Sequence, residues 1–170
     1  MARFDPVCGR LEPIVAADKV RHPLHTPFAF WYVKRVHGAR AQENYERNIR
    51  RLACVADVES FWAVYNHLVR PNELSNSSDY SFFRSHIKPM WEDPANKAGG
   101  KFMLRLRKGF ASRYWEDLLF AVIGEQLGVG DELCGVSVSV RYNEDILSVW
   151  HRNAQDHEAS VFAFVLLFFY

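Results

Sequence analysis

Several things are scarce in this chain, and each shortage removes a class of function. The apolar run Val161–Tyr170 (VFAFVLLFFY) is ten uncharged residues long, far short of the roughly 20 that cross a bilayer. Asp5 and Arg10 stand where a signal peptide would place its hydrophobic region. Cysteine is limited to Cys8, Cys54 and Cys134, which form no spacing motif and leave an odd thiol; that favours a reducing compartment, where the Asn76–Ser77–Ser78 sequon carries no meaning. Cys54 and Cys134 lie in apolar strands and read as small core residues. Excess charge is missing too: 21 Lys and Arg against 20 Asp and Glu give a net +1. Without a global field, any contact with nucleic acid needs a local basic patch. There are no clustered acids with metal-ligand spacing and no local Ser/His/Asp or Cys/His motif. A hydrolase built on Glu92 and Asp93 is therefore the weakest reading, and no catalytic residue, metal or cofactor is expected.

Aromatic residues, in contrast, are abundant. They make up 15% of a chain that is 170 residues long and 49% hydrophobic, and five of them are Trp. That is enough for one globular domain with a proper core. The richest stretch is Lys88–Lys101 (KPMWEDPANKAGGK). Pro89 and Pro94 bracket Trp91 and disfavour helix on either side, so Trp91 is expected on a loop with its ring offered to solvent. An indole beside a carboxylate can stack on a base while the carboxylate accepts from the base edge. Guanine suits this best, because its N1–H and N2–H2 donors point the same way. The plainer reading, a buried tryptophan flanked by two solvated acids, is equally compatible with the spacing.

Met1–Val20 has no clear period and is expected to be a flexible arm. Thr26–Arg35 (TPFAFWYVKR) reads as a strand, His37–Asn44 as a long loop with Tyr45 at its far end, and Ile49–Val55 as a second strand. Tyr45 is either a local packing anchor or a ligand contact. Asp57 caps a helix whose stripe is Val58, Phe61, Trp62, Tyr65 and Leu68, ended by Arg70–Pro71. Asn72–Ser81 reads as a turn-rich loop. Lys101–Arg107 (KFMLRLR) alternates, with Phe102, Leu104 and Leu106 inward and Lys101, Met103, Arg105 and Arg107 outward. Ser112 is expected to cap a second helix carrying Trp115, Leu118, Leu119, Val122, Ile123 and Leu127 and ending at Gly128. Val136, Val138, Val140 and Tyr142 are assigned to the core face of the next strand, and Arg141 to the polar face with Lys101 and Arg105. Asn143–Asp145 turn into a hairpin partner, Ile146–Trp150. Short connections between mostly antiparallel strands predict an α+β class with a curved antiparallel sheet.

Together, HPLHTPFAFWY, VESFWAVYNH (Val58–His67), KPMWED with Gly99–Gly100, and Ile123–Gly124–Glu125 followed by Cys134–Gly135 resemble the eukaryotic translation initiation factor 4E family, whose members bind the 7-methylguanosine cap of mRNA. The likeness runs from about His22 to Trp150. RLRKGFASRYWED, Tyr45 and Phe28 resemble its second, 4E-homologous-protein class; the founding class carries tryptophans at those two positions. The resemblance implies a single domain with helices on the convex face of the sheet and a cap slot on the concave face. It implies that Tyr45 and Trp91 sandwich the methylated base. Glu92 then accepts from N1–H and N2–H2, the Trp91 N–H meets O6, Trp150 touches the methyl group, and Lys101, Arg105 and Arg141 hold the triphosphate. Ile146 stands where the founding class has another cation, so weaker cap affinity is implied.

A dorsal site for helical regulatory proteins bearing a tyrosine and a downstream leucine is implied at His22, Pro23, Leu24, Val58, Trp62 and Asp117; on the residues alone, Trp62 could equally be core. The organisation expected is an arm (1–20), a cap-binding domain (21–150) incomplete at its C-terminus, and an atypical hydrophobic tail (151–170) in place of the family's last helix and strands. A poorly soluble, weakly cap-binding form follows from that ending. The implied setting is a cytoplasmic monomer that regulates translation through capped mRNA, with no membrane contact. The alternative is an interaction-only module whose dorsal helix works while its cap pocket does not.

Overall fold

The computed structural model describes residues 2–5, 10–13, 20–35 and 41–154. Alternating aromatic and β-branched segments form the strands β3 (Pro23–Lys34), β4 (Arg50–Asp57), β5 (Ser78–Arg84), β6 (Gly100–Leu106), β7 (Leu133–Val140) and β8 (Asp145–His151). They make one six-stranded sheet in the order β4-β3-β5-β7-β8-β6, antiparallel throughout. Two short strands, β1 (Ala2–Asp5) and β2 (Arg10–Pro13), pair with each other apart from it. The helices are α1 (Ala41–Asn48), α2 (Val58–Tyr65), α3 (Pro94–Lys97) and α4 (Ala111–Ile123).

Because strand side chains alternate, the sheet has two unlike faces. Phe28, Phe30, Tyr80, Phe82, Val136, Val138, Leu147 and Val149 point to one side. There they form the main core with Phe61 and Tyr65 of α2 and Trp115, Leu118, Leu119 and Val122 of α4. The other face carries a smaller cluster of Ala29, Trp31, Phe83, Ile87, Cys134 and Trp150. α2 starts as its sequence dictates: Asp57 accepts from the Ser60 N–H at 2.6 Å while the Ser60 hydroxyl receives the Asp57 N–H, a reciprocal capping box.

Several segments differ from the sequence reading. Tyr45 lies inside α1, not at a loop tip. Its segment AQENYERN consists mostly of good helix formers, but it is polar on all sides and shows no apolar stripe; residues 36–40 of the expected loop lie outside the described residues. From Ser78 onward the expected loop is β5, a central strand buried along its whole length. Its serines and Asp79 disguised it, because buried polar residues are tolerated only when partnered. Ser112 does not cap α4. Phe110 occupies that position without a side-chain bond, and Asn72 acts across the gap: Oδ1 accepts from the Ser112 N–H at 3.2 Å and Nδ2 donates to the Gly109 carbonyl at 2.8 Å. α4 stops at Ile123, because the chain turns through Gly124 and the positive φ of Glu125 before Leu127 folds back into the core. Tyr142 is not core: β7 ends at Val140 and the ring stands 82% exposed in the turn. The tail beyond residue 154 lies outside the described residues.

Gly135 shows how tightly the second face is built. A Cβ added there would meet the Phe83 ring at 2.4 Å and the Phe83 Cα at 2.6 Å. Gly135→Ala should therefore destabilise the fold by about 1–3 kcal/mol, read as a lower denaturation midpoint at unchanged m-value. An unchanged midpoint would show that Phe83 can move aside.

Candidate functional site

The register of the second face lays out three rows of side chains. The first is Lys101, Trp150, Gly135, Phe83 and Ala29 across β6, β8, β7, β5 and β3. Met103, Ser148, Ser137, Ser81 and Trp31 form the second, and Arg105, Ile146, Ser139, Asp79 and Val33 the third. Apart from Trp150, Phe83 and Ile146, the three rows inside β7, β8 and β5 hold small or polar groups, which leaves a shallow floor with cations at its margins.

A rigid loop overhangs the first row. Asp93 uses one carboxylate oxygen to accept from the Ala95 N–H at 3.0 Å, capping α3, and the other to accept from the Lys88 N–H at 2.9 Å. Asn96, 1% exposed, donates to the Lys88 and Met90 carbonyls at 2.8 and 2.7 Å. Residues 88–96 are thus tied to one another, and the dipeptide Trp91–Glu92 is left exposed at the tip. Asp93 is occupied in holding the loop, and Glu92 stands exposed at its tip.

Trp91 is 42% exposed, and its ring lies 4.3 Å from that of the buried Trp150, inclined at 45°. Trp150 is fixed by donating its indole N–H to Ser137 Oγ at 3.3 Å and by edge contact with Phe83. The Lys101 ammonium sits over both indoles, 5.6 Å from Trp91 and 5.0 Å from Trp150. Its burial, and next the charge of Arg35, pull its pKa below the ordinary lysine value.

Tyr45 reaches the same place from α1. Its hydroxyl donates to the Pro89 carbonyl at 3.0 Å, and the Arg35 guanidinium lies 5.3 Å over its ring. Burial, followed by the negative charges of Asp79 and Glu92, raises its pKa to about 12. Asp79, 3% exposed, joins the two halves of the site. One oxygen accepts from Arg35 Nε, and the other lies 2.6 Å from Arg141 Nη1, an ion pair too far off line for a hydrogen bond. Arg105 stands apart, four positions along β6 from Lys101, about 13 Å of strand, and pairs with Glu144 at 3.0 Å.

The structure therefore gathers Tyr45, Trp91, Glu92, Trp150, Lys101 and Arg141, and leaves Arg105 at the rim. Sequence reasoning missed Asp79 and Arg35. The alternation of Asp79, Ser81 and Phe83 against Tyr80 and Phe82 was the available signal.

The implied dorsal residues lie on the opposite side. The His22 carbonyl accepts from the Val58 N–H at 2.9 Å, and Pro23 pairs with Asp57. The His22 ring and N–H both reach Glu59, whose carboxyl they lower to about 2. Leu24 packs on the core. Trp62, 39% exposed, packs on Phe120 at 5.5 Å. Asp117, which accepts from Arg113 at 2.9 Å, is one helical turn before Phe120. Among the described residues no three His, Cys, Asp or Glu are placed to hold a metal ion, and no helix is long and apolar enough to cross a membrane.

Tyr45 and Asp79 make a joint test. The unfolded phenol ionises near pH 10, so the raised pKa of Tyr45 contributes stability that is full below pH 10 and lost as pH climbs from about 10 to about 12. Asp79→Asn removes a charge that raises this pKa. It should shift the Tyr45 ionisation to lower pH in an ultraviolet titration and cost about 1–3 kcal/mol of stability. An unmoved titration would show that Asp79 does not act on Tyr45.

Residues 23–162 match the family described as eukaryotic initiation factor 4E. The rice protein named eukaryotic translation initiation factor NCBP is 51% identical over 81% of this chain, and the match spans 60% of that relative's length. Among solved structures, Ascaris suum eIF4E-3 in complex with m7G cap superposes with a TM-score of 0.80 at 35% identity, covering 87% of this chain and 83% of that one. Caenorhabditis elegans eIF4E-3 in complex with the 4E-binding protein Mextli and cap analog gives a TM-score of 0.78 at 36% identity, covering 87% and 84%.

Proposed function

The chain belongs to the eukaryotic initiation factor 4E family, and from that premise we propose that its slot binds the 7-methylguanosine cap of mRNA. The observation that carries this is the Lys101 ammonium lying over Trp91 and Trp150 beside the exposed Glu92. These indoles already engage a cation, and a guanine methylated at N7 is a flat cation of the right kind.

Tyr45 and Trp91 take the two faces of the base, Glu92 accepts from N1–H and N2–H2, the Trp91 N–H meets O6, and Trp150 lines the methyl group. Lys101 holds the near phosphates, and Arg105 and Arg141 the far end. Three features hold affinity below that of the founding class. Tyrosine replaces indole at position 45, and the charge of Arg141 is partly compensated by Asp79, while Ile146 adds no cation to its row. The protein then acts in the cytoplasm as a regulator of translation, at initiation or by repressing it, and performs no catalysis. On its dorsal side, His22–Leu24, Val58, Trp62 and Asp117 receive the helix of a regulatory protein.

Tryptophan fluorescence titration tests the cap reading. 7-methyl-GTP should bind at least about tenfold tighter than GTP, in line with a desolvated cation–π gain; equal constants would refute it. Glu92→Gln should lose about 1.5–3 kcal/mol of 7-methyl-GTP binding with the melting temperature unchanged.

The two surfaces separate in one variant. Trp62→Ala should abolish capture of a tyrosine- and leucine-bearing helical peptide, a loss of at least about 2 kcal/mol, and leave 7-methyl-GTP affinity intact. Peptide capture by a wild-type chain that ignores 7-methyl-GTP would favour the interaction-only reading instead.

A further inference from the structure

Beyond the cap itself, we infer that the turn between β7 and β8 is a stacking platform for the first nucleotide of the RNA body, with the Tyr142 ring as its surface. The inference rests on the cap reading and extends it past the triphosphate.

The three rows of the second face fix a direction. A base held at Trp91 and Trp150 is in the Lys101 row, and the Arg105 row is about 13 Å further along the strands. The cap ribose together with an extended triphosphate spans about this distance, so whatever follows them emerges where β7 and β8 turn. Arg141, the residue that ends the phosphate track, is followed at once by Tyr142.

Tyr142 is a large aromatic ring left 82% exposed in the turn that follows the end of β7 at Val140. Its base is rigid. The Arg141 N–H donates to the Glu144 carbonyl at 3.2 Å, and Lys108 Nζ donates to the Arg141 carbonyl at 3.0 Å while pairing with the fully buried Asp145 at 2.7 Å. Glu144 is neutralised by Arg105 at 3.0 Å. The bond from Lys108 also brings the loop 107–110 beside the turn, adding the exposed Arg107 and the 54% exposed Phe110.

An exposed ring in a turn that Arg105 and Lys108 tie down and that begins with Arg141, at the end of the proposed phosphate track, suits single-stranded nucleic acid: cations follow the backbone and the ring takes a base without regard to sequence. An acidic peptide could use the same cations, but continuity with the phosphate track favours RNA.

The test uses the full chain and three ligands: 7-methyl-GTP, GTP, and a short capped RNA whose first nucleotide carries 2-aminopurine, a base that loses fluorescence on stacking. The wild type should bind the capped RNA about fivefold or more tighter than 7-methyl-GTP, the low end for one stacked base, and quench the 2-aminopurine. Tyr142→Ala should keep its 7-methyl-GTP affinity and lose both the extra affinity and the quench. Tyr142→Phe should retain both. Equal gains in wild type and Tyr142→Ala, or a Tyr142→Phe variant as poor as the alanine, would overturn the inference while leaving the cap reading standing. A wild type that cannot tell 7-methyl-GTP from GTP would overturn both.

Discussion

Everything in this structure depends on the alternation of side chains along six antiparallel strands. One set of positions must be apolar, because it has to cover α2 and α4. The intervening positions are then free to carry chemistry, since the helices already bury enough surface to hold the sheet. The same chain segment thus serves two ends: Phe82 packs under Phe61 while its neighbours Ser81 and Phe83 line the opposite face. Moving any strand by one residue would exchange the faces and destroy core and slot together.

Within that constraint, the site is assembled by polar groups that are themselves buried. Asn96 and Asp93 spend their hydrogen bonds on the loop that lifts Trp91 and Glu92, and Asp79 sits in the middle of the sheet between two guanidiniums. A carboxylate so placed would be costly without partners. With Arg35 and Arg141 it connects Tyr45, the aromatic proposed to stack on the base, to the end of the proposed phosphate track. Those two ends of the slot are therefore one electrostatic unit, and the pKa of Tyr45 records the charges of Asp79, Arg35, Glu92 and Arg141.

Much of this was legible in the sequence, for identifiable reasons. Strands with clean alternation, such as β6, and a helix with a capping box, α2, announce themselves because local propensity and burial agree. The loop at Trp91 was legible because prolines constrain it from both sides. What failed was of another kind. β5 was hidden because its polar residues are buried by a network between distant strands, which no window of sequence displays. α1 was hidden because it has no apolar face. α4's capping residue comes from Asn72, some forty residues away, and Tyr142 obeyed the alternation only up to the point where the strand stops. Asp79 and Arg35 belong to this second group: their importance lies in a juxtaposition created by β3, β5 and β7 together.

The placement of the two surfaces has a consequence for how they can influence one another. Trp62 and the slot stand on opposite sides of the sheet, so nothing prevents both from being filled at once. They are nonetheless joined through β3. Its first residues, Pro23 and Leu24, belong to the dorsal side, Phe30 packs against Phe61 in the core, and its end leads directly to Arg35 over Tyr45. The bonds His22 makes to α2 fix the start of this strand, and its pairing with β5 across Val33 and Asp79 fixes the end. A densely packed strand of this kind does not bend gradually. Between the proposed partner site and the proposed cap slot, β3 is a packed element that touches both, and the charged cluster at its end is placed to feel a shift of it.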